Sequence, residues 1–232
     1  MSLTVLQLQT RVARTIGLSL TVAEDMSLML GWYNDAVEQF LRDTKINVRP
    51  ASLAVTAGQE DYTLDTDILS MQALWFQPAS ASTSMMIPIT PEDMYRKRMV
   101  ESTGGPPQFY SLVGAHTLML HPAPSSDSDL VRMLYVPRPA AMAASADTPA
   151  ATANGNIPSE YHVILEAYVK WKAGQAEEHR PSENGLQYQA EYEREITRVR
   201  GELRRKAGAV IGSVRMGRHG SIPAVGNGVD LR

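Results

Sequence analysis

The sequence predicts an α+β protein: a helical body, an antiparallel β region inserted into it, and an extended C-terminal tail. Three observations carry this. Apolar residues recur at helical spacing in long stretches at about 22–45, 158–178 and 185–206. Between the first two, from about 51 to 136, the period changes to two and turn residues separate short runs, the pattern of an antiparallel sheet or small sandwich. After residue 206, Gly208, Gly212, Gly217, Gly220, Gly226 and Gly228 interrupt any helical pattern, so 1–206 reads as a body, with its β insert at about 50–137, and 207–232 as a tail.

Composition narrows the class. With 232 residues and 44% hydrophobic content, the chain is long enough for a sizeable core. A formal charge of −3 argues against a surface that grips nucleic acid throughout. The absence of cysteine excludes disulfides and thiolate chemistry. No apolar run approaches the roughly 20 residues that span a bilayer, and MSLTVLQLQTRVART lacks the pattern of a signal peptide. The expectation is a soluble protein, folded in the cytoplasm of the cell that makes it, with no membrane partner.

Taken in order, Thr4 to Ile16 reads as a short helix with Val5, Leu8, Val12 and Ile16 on one side and Gly17 as its stop. Thr21 and Glu24 have capping-box spacing at the head of a second helix. Its stripe runs through Met26, Met29, Leu30, Tyr33, Val37, Phe40, Leu41 and Thr44. Strand-like runs follow at Leu53–Val55, Tyr62–Leu64, Ile68–Gln77 and Met85–Ile89. Thr90 and Pro91 can cap and start a short helix to about Val100, which Gly104 to Pro107 breaks. Three more runs are Phe109–Val113, Thr117–His121 and Leu130–Val136. Pro137 to Asn156, rich in Ala, Pro and Thr, reads as a connector on the surface.

The next helix, from Pro158, presents Tyr161, Ile164, Leu165, Tyr168 and Trp171 on one face, the natural partner of the second helix. After a turn at Pro181–Gly185 the last long helix carries Tyr192, Ile196, Val199 and Leu203 as a narrow seam flanked by charge. That seam suggests packing against another helix, with a neighbouring subunit as a candidate. Arg204, Arg205 and Lys206 end it in the only basic concentration before the tail arginines. The cluster suits phosphate contact, a match to the helix dipole, or docking in an acidic protein groove. Apolar residues in the tail favour the last, since a segment of this kind orders on a partner.

Candidate chemistry is sparse. His162 and Glu166 lie one turn apart and could share a metal or proton, but no third ligand sits at suggestive spacing and a solvated polar face accounts for both. Glu177, Glu178 and His179 read as an exposed helix end, while His116 and His121 sit at a turn and a strand end. Gly104 and Gly105 precede prolines and open no helix, so they make no phosphate loop. No GxSxG, HExxH or Walker pattern occurs. The reading is a protein that is not an enzyme and needs no cofactor or metal.

The run GGPPQFYSLVGAHTLMLHPAPSSDSDLVRMLYVPRPAAM resembles a segment of tailed-phage head-to-tail adaptor proteins, through Gly105, Pro107, Tyr110, Gly114, Leu118, Leu120, Pro122, Pro124, Leu134, Tyr135 and Pro137. DYTLDTDILSM is similar to a Tyr-x-Leu-Pro-x-Asp element, with Asp65 in place of the usual proline. WYNDAVEQFLRDT and IPSEYHVILEAYVKWKAGQAEE resemble the family's early and late helices, so the likeness covers roughly Met26 to Arg205. It implies a structural virion protein: a homo-oligomeric, usually dodecameric ring in the neck, beneath the portal protein. Genomic DNA would pass through its channel without sequence-specific binding, and tail or nozzle proteins would attach below. The tail would dock on the portal through Arg204, Arg205, Lys206, Val210, Ile211, Val214, Arg215, Met216, Arg218 and Ile222, while Tyr192, Ile196, Val199 and Leu203 would meet a neighbouring subunit. A neck or tail-completion protein on the tail tube, or a virion-carried cell-wall hydrolase, are the alternatives.

Overall fold

Thr4 closes the N-terminus of the first helix, α1 (Val5–Ile16), through a reciprocal capping box. Its hydroxyl accepts from the Gln7 amide at 3.4 Å, and the Gln7 side chain accepts from the Thr4 amide at 3.0 Å. Gly17, at φ 76°, ends the helix in the left-handed region, as its sequence position predicts. In this computed structural model the described residues are 2–79, 82–100, 105–114, 116–176 and 185–216, with 207–216 described as backbone. The fold is α+β.

The second helix, α2 (Ala23–Thr44), differs from expectation at its start. Val22 is the N-cap and no side chain caps it. The Thr21 hydroxyl pairs instead with that of Ser19 at 2.8 Å, and Asp25 accepts from the Ser19 amide at 2.7 Å. The hydroxyl predicted to cap the helix is thus satisfied within the preceding loop. Glu24 and Asp25 still complement the positive end of the helix dipole.

The described residues then build eight strands: β1 (Arg49–Ala54), β2 (Asp61–Thr63), β3 (Ile68–Gln77), β4 (Ser84–Met85), β5 (Ile87–Pro88), β6 (Phe109–Val113), β7 (Thr117–His121) and β8 (Leu130–Pro137). They form two four-stranded sheets, ordered β1-β8-β3-β4 and β2-β7-β6-β5. Pairing is antiparallel, with Leu53 opposite Val131 and Tyr110 opposite Leu120, except that β5 runs parallel to β6. Leu74, Phe76 and Val131 of one sheet and Leu118 and Leu120 of the other are almost fully buried between them. Each contributes roughly 1.5–3 kcal/mol of transfer free energy. Thr90 caps α3 (Pro91–Val100) as expected, its hydroxyl accepting from the Asp93 amide at 3.2 Å. Met94 anchors that helix on the second sheet.

Pro137 to Asn156 is more than a surface connector. Met142 is buried, and the Asn34 side chain brackets its backbone, donating to the carbonyl at 3.1 Å and accepting from the amide at 2.9 Å. The Asp147 and Ser145 carbonyls accept from the Val5 and Leu6 amides, two of the donors a helix start leaves free. A segment without periodicity therefore supplies hydrogen bonds that α1 cannot make for itself. Gly155, at φ 114°, has a backbone conformation that L side chains rarely adopt, and a Cβ there would crowd α2 at 3.0 Å from Val37 Cγ1.

A 3-10 turn (Ser159–Tyr161) leads into α4 (His162–Gln175), so Pro158 precedes the first turn rather than occupying it. The last helix, α5 (Gly185–Met216), runs ten residues beyond its expected end at 206. Isolated glycines at 208 and 212 cost about 1 kcal/mol each relative to alanine, which does not break a long helix. The helical core unites Tyr33, Phe40 and Leu41 of α2 with Ile164, Leu165 and Tyr168 of α4. Val136 of β8 and Leu69 of β3 enter the same core and tie the sandwich to the helices.

Candidate interaction surfaces

The seam on α5 meets the chain's own helices. Tyr192 and Ile196 are each 4% exposed and Val199 is 0% exposed, all inside the helical core, with Leu203 packed at its margin. The partner helices are α4 and α2 of the same chain, which corrects the assignment of these four residues to a neighbouring subunit. The physical reason is that α4 is buried nearly all round: Val169 and Ala173 lie outside its predicted face yet are buried too. The Tyr192, Tyr168 and Trp171 rings cluster with centroids 5.3–6.1 Å apart.

Asp43, near the end of α2, locks this packing. It accepts from the Tyr192 hydroxyl at 3.0 Å and from Arg200 Nη2 at 3.2 Å, while its carbonyl accepts from Arg200 Nε at 2.6 Å. Burial, and next the Asp43 charge, hold the Tyr192 hydroxyl protonated far above its ordinary range. Further along, Arg198 pairs with Glu195 at 2.8 Å and Glu202 at 2.7 Å.

The two helices run antiparallel. Gly185, at the start of α5, lies against the Gly174 backbone near the end of α4, and further along α5 Tyr192 packs on Tyr168, earlier in α4. Beyond residue 203, α5 has passed the start of α4. At 1.5 Å per residue, Arg204 to Met216 extends it by roughly 20 Å. Arg204, Arg205 and Lys206 are exposed there. Val210, Ile211, Val214, Arg215 and Met216 continue the same helical backbone, whereas Arg218 and Ile222 lie outside the described residues.

His162 and Glu166 are not a solvated face. His162 is 0% exposed, its Nε2 3.2 Å from the Ile157 carbonyl, and Glu166 is 9% exposed and paired with Arg11 at 3.2 Å. The two residues have separate protein partners. Among the described residues no group of three or more His, Cys, Asp and Glu is placed to hold a metal. His121 is buried with Nδ1 3.7 Å from Glu60, and His116 is half-buried beside its turn. Glu177, Glu178, His179 and Gly104 lie outside the described residues.

Burial, and the nearby Arg11 charge, push the His162 imidazole below its ordinary value of 6.5, although its bond to Ile157 opposes them. The unfolded chain therefore takes up a proton below about pH 6.5 that the folded chain refuses, so this contribution is complete above that pH and is lost as pH falls toward the folded value. Denaturation at pH 7.5 and 5.5 is expected to show a loss of stability, at most about 1.4 kcal/mol per unit from this residue, that His162→Gln reduces.

One surface escaped the sequence reading. On α3 the guanidinium of Arg98 turns inward, 3.0 Å from Glu60 and 2.7 Å from Asp61, and also donates to the Leu120 carbonyl. Lys97 Nζ sits 4.2 Å above the Phe109 ring. On the outward side Tyr95, Met99 and Val100 are all exposed, with Arg96 among them. The spacing of Tyr95 and Met99, four apart and so on one side of the helix, is the signal that could have revealed it.

A profile of the SU10 adaptor protein family matches residues 3–216, nearly the whole chain. The chain belongs to the SU10 adaptor protein family. It is thereby a phage structural adaptor, a component of the virion, and the family implies a structural rather than an enzymatic role. No curated protein matches the chain. The family match takes in α1 to α5 with the whole sandwich and stops at Met216, where α5 ends. Among the described helices of this adaptor none is long and apolar enough to cross a membrane.

Proposed function

We propose that this adaptor joins head to tail: copies of the chain form a ring, usually dodecameric in proteins of this kind, beneath the portal of the filled capsid. The ring extends the channel through which genomic DNA passes and offers tail or nozzle proteins their attachment surface. A net charge of −3 suits a wall along which phosphates slide rather than stick. The observation that carries the reading is the reach of α5, with its exposed basic end at Arg204, Arg205 and Lys206, past the helices it packs against. A helix projecting from a packed body suits a groove on a partner, and three cations select an acidic one.

Removing Ala207–Arg232 is expected to leave the melting transition of the body in place and to abolish binding to the portal encoded beside this chain. Electron microscopy of the mixture reads the result. A ring capping one end of the portal, lost on truncation, is the expected outcome. Bare portals beside the full-length chain well above micromolar concentration would place its partner further down the tail.

A further inference from the structure

Among the described residues, two of the faces left unassigned are complementary. The first is the outward side of α3, where Tyr95 is 53%, Met99 86% and Val100 79% exposed. Arg96 lies beside them and, among the described residues, pairs with Asp93 of its own helix, a surface pair at 3.4 Å that contributes little. The second lies where the sandwich opens beside β1 and β2. A cleft of about 440 Å³ there has Leu53, Leu64, Ile68 and Met133 in its lining and Asp65 and Asp67 at its exposed margin.

We propose that α3 of one subunit seats in the cleft beside β1 and β2 of a second copy. Met99 and Tyr95 cover the apolar lining, and Arg96 meets Asp65 and Asp67. Opposite charge and apolar matching occur on different surfaces of one chain, so every copy carries both halves of the contact in equal number. Such a contact is heterologous: it passes head to tail and closes into a ring when the rotation permits. A tail protein would need one of these faces and leave the other uncovered. A stable contact requires roughly 800 Å² from each partner, so knob and cleft form its centre rather than its whole extent. The inference rests on the ring reading above and adds which faces meet.

The chain contains no cysteine, so an engineered pair can report the contact without background. The full-length chain carrying both Met99→Cys and Asp65→Cys is oxidised at high micromolar concentration, alone and with the portal, beside each single variant. A ladder of linked species in steps of one chain from the double variant alone is the expected result. An unlinked double variant overturns the docking, and so does strong dimer formation by Met99→Cys alone, which would put α3 against α3. Mass photometry of the wild type under the same conditions separates the failures. Oligomers without a ladder reject these faces and keep the ring, whereas monomers without a ladder reject both. As an independent arm, Arg96→Glu should weaken assembly at least tenfold, and adding Asp65→Arg with Asp67→Arg should recover most of it. Loss without recovery counts against the charge pairing.

Discussion

Tyr192→Ala is expected to destabilise the folded subunit by about 3–5 kcal/mol, the cost of removing a large core side chain and leaving a cavity. The tyrosine is 4% exposed, packs against the Tyr168 and Trp171 rings and donates to Asp43. Tyr192→Phe keeps the ring and removes the hydroxyl, and should cost about 1.5–3 kcal/mol, the range for a hydrogen bond to a charged group. Urea denaturation of the monomeric body at pH 7.5 checks both. A seam between subunits would behave differently: Tyr192→Ala would leave the monomer's midpoint unchanged and lower only the assembly state. That outcome would refute the intramolecular packing of α5 against α4 and α2.

The second large effect belongs to Arg98. Its side chain is 15% exposed and joins α3 to Glu60, Asp61 and the Leu120 carbonyl. Replacement by methionine keeps much of the stem but leaves Glu60, itself only 25% exposed, without its cation. Breaking a buried pair costs about 3–5 kcal/mol. Asp61 is 59% exposed, so solvent screens that half of the interaction and the expected loss is about 2–3 kcal/mol. A ten-residue helix is too short to persist without its docking contacts. Hydrogen exchange should therefore accelerate in α3 well before it does in β8. Arg98→Lys should rescue only part of the loss, because an ammonium cannot reproduce a guanidinium that reaches two carboxylates and a carbonyl. Equal acceleration in α3 and β8 would mean that Arg98 stabilises the whole sandwich and not the seating of one helix.

Most elements were legible from the chain. The strands from Ile68 to Gln77, Phe109 to Val113 and Thr117 to His121, together with α3, have the predicted bounds. Gly17 and Thr90 act as their local chemistry requires. Where the reading failed, the deciding partner was distant or of a kind that periodicity cannot register. Thr21 spent its hydroxyl on Ser19, and Asn34 gave order to the featureless segment around Met142 from 108 residues away. His162 and Glu166 fall one turn apart on α4, but that helix is covered on several sides, so the spacing of polar residues did not mark a wet face.

The same division holds for the surfaces. The basic end of α5 and its narrow apolar seam are properties of order along the chain, because residues three and four apart share one side of any helix. What each seam meets is not such a property. Asp43 receives the Tyr192 hydroxyl across 149 residues, and Arg11 reaches Glu166 across 155. The sequence by itself determined the α+β class, the order of helices and strands, and the resemblance to phage adaptors. Only the tertiary structure decided that the seam closes inward and that α3 turns Arg98 in and Met99 out. Secondary structure answers to neighbours within a turn or a strand pair, whereas burial is set by whichever distant surfaces the folded chain brings together.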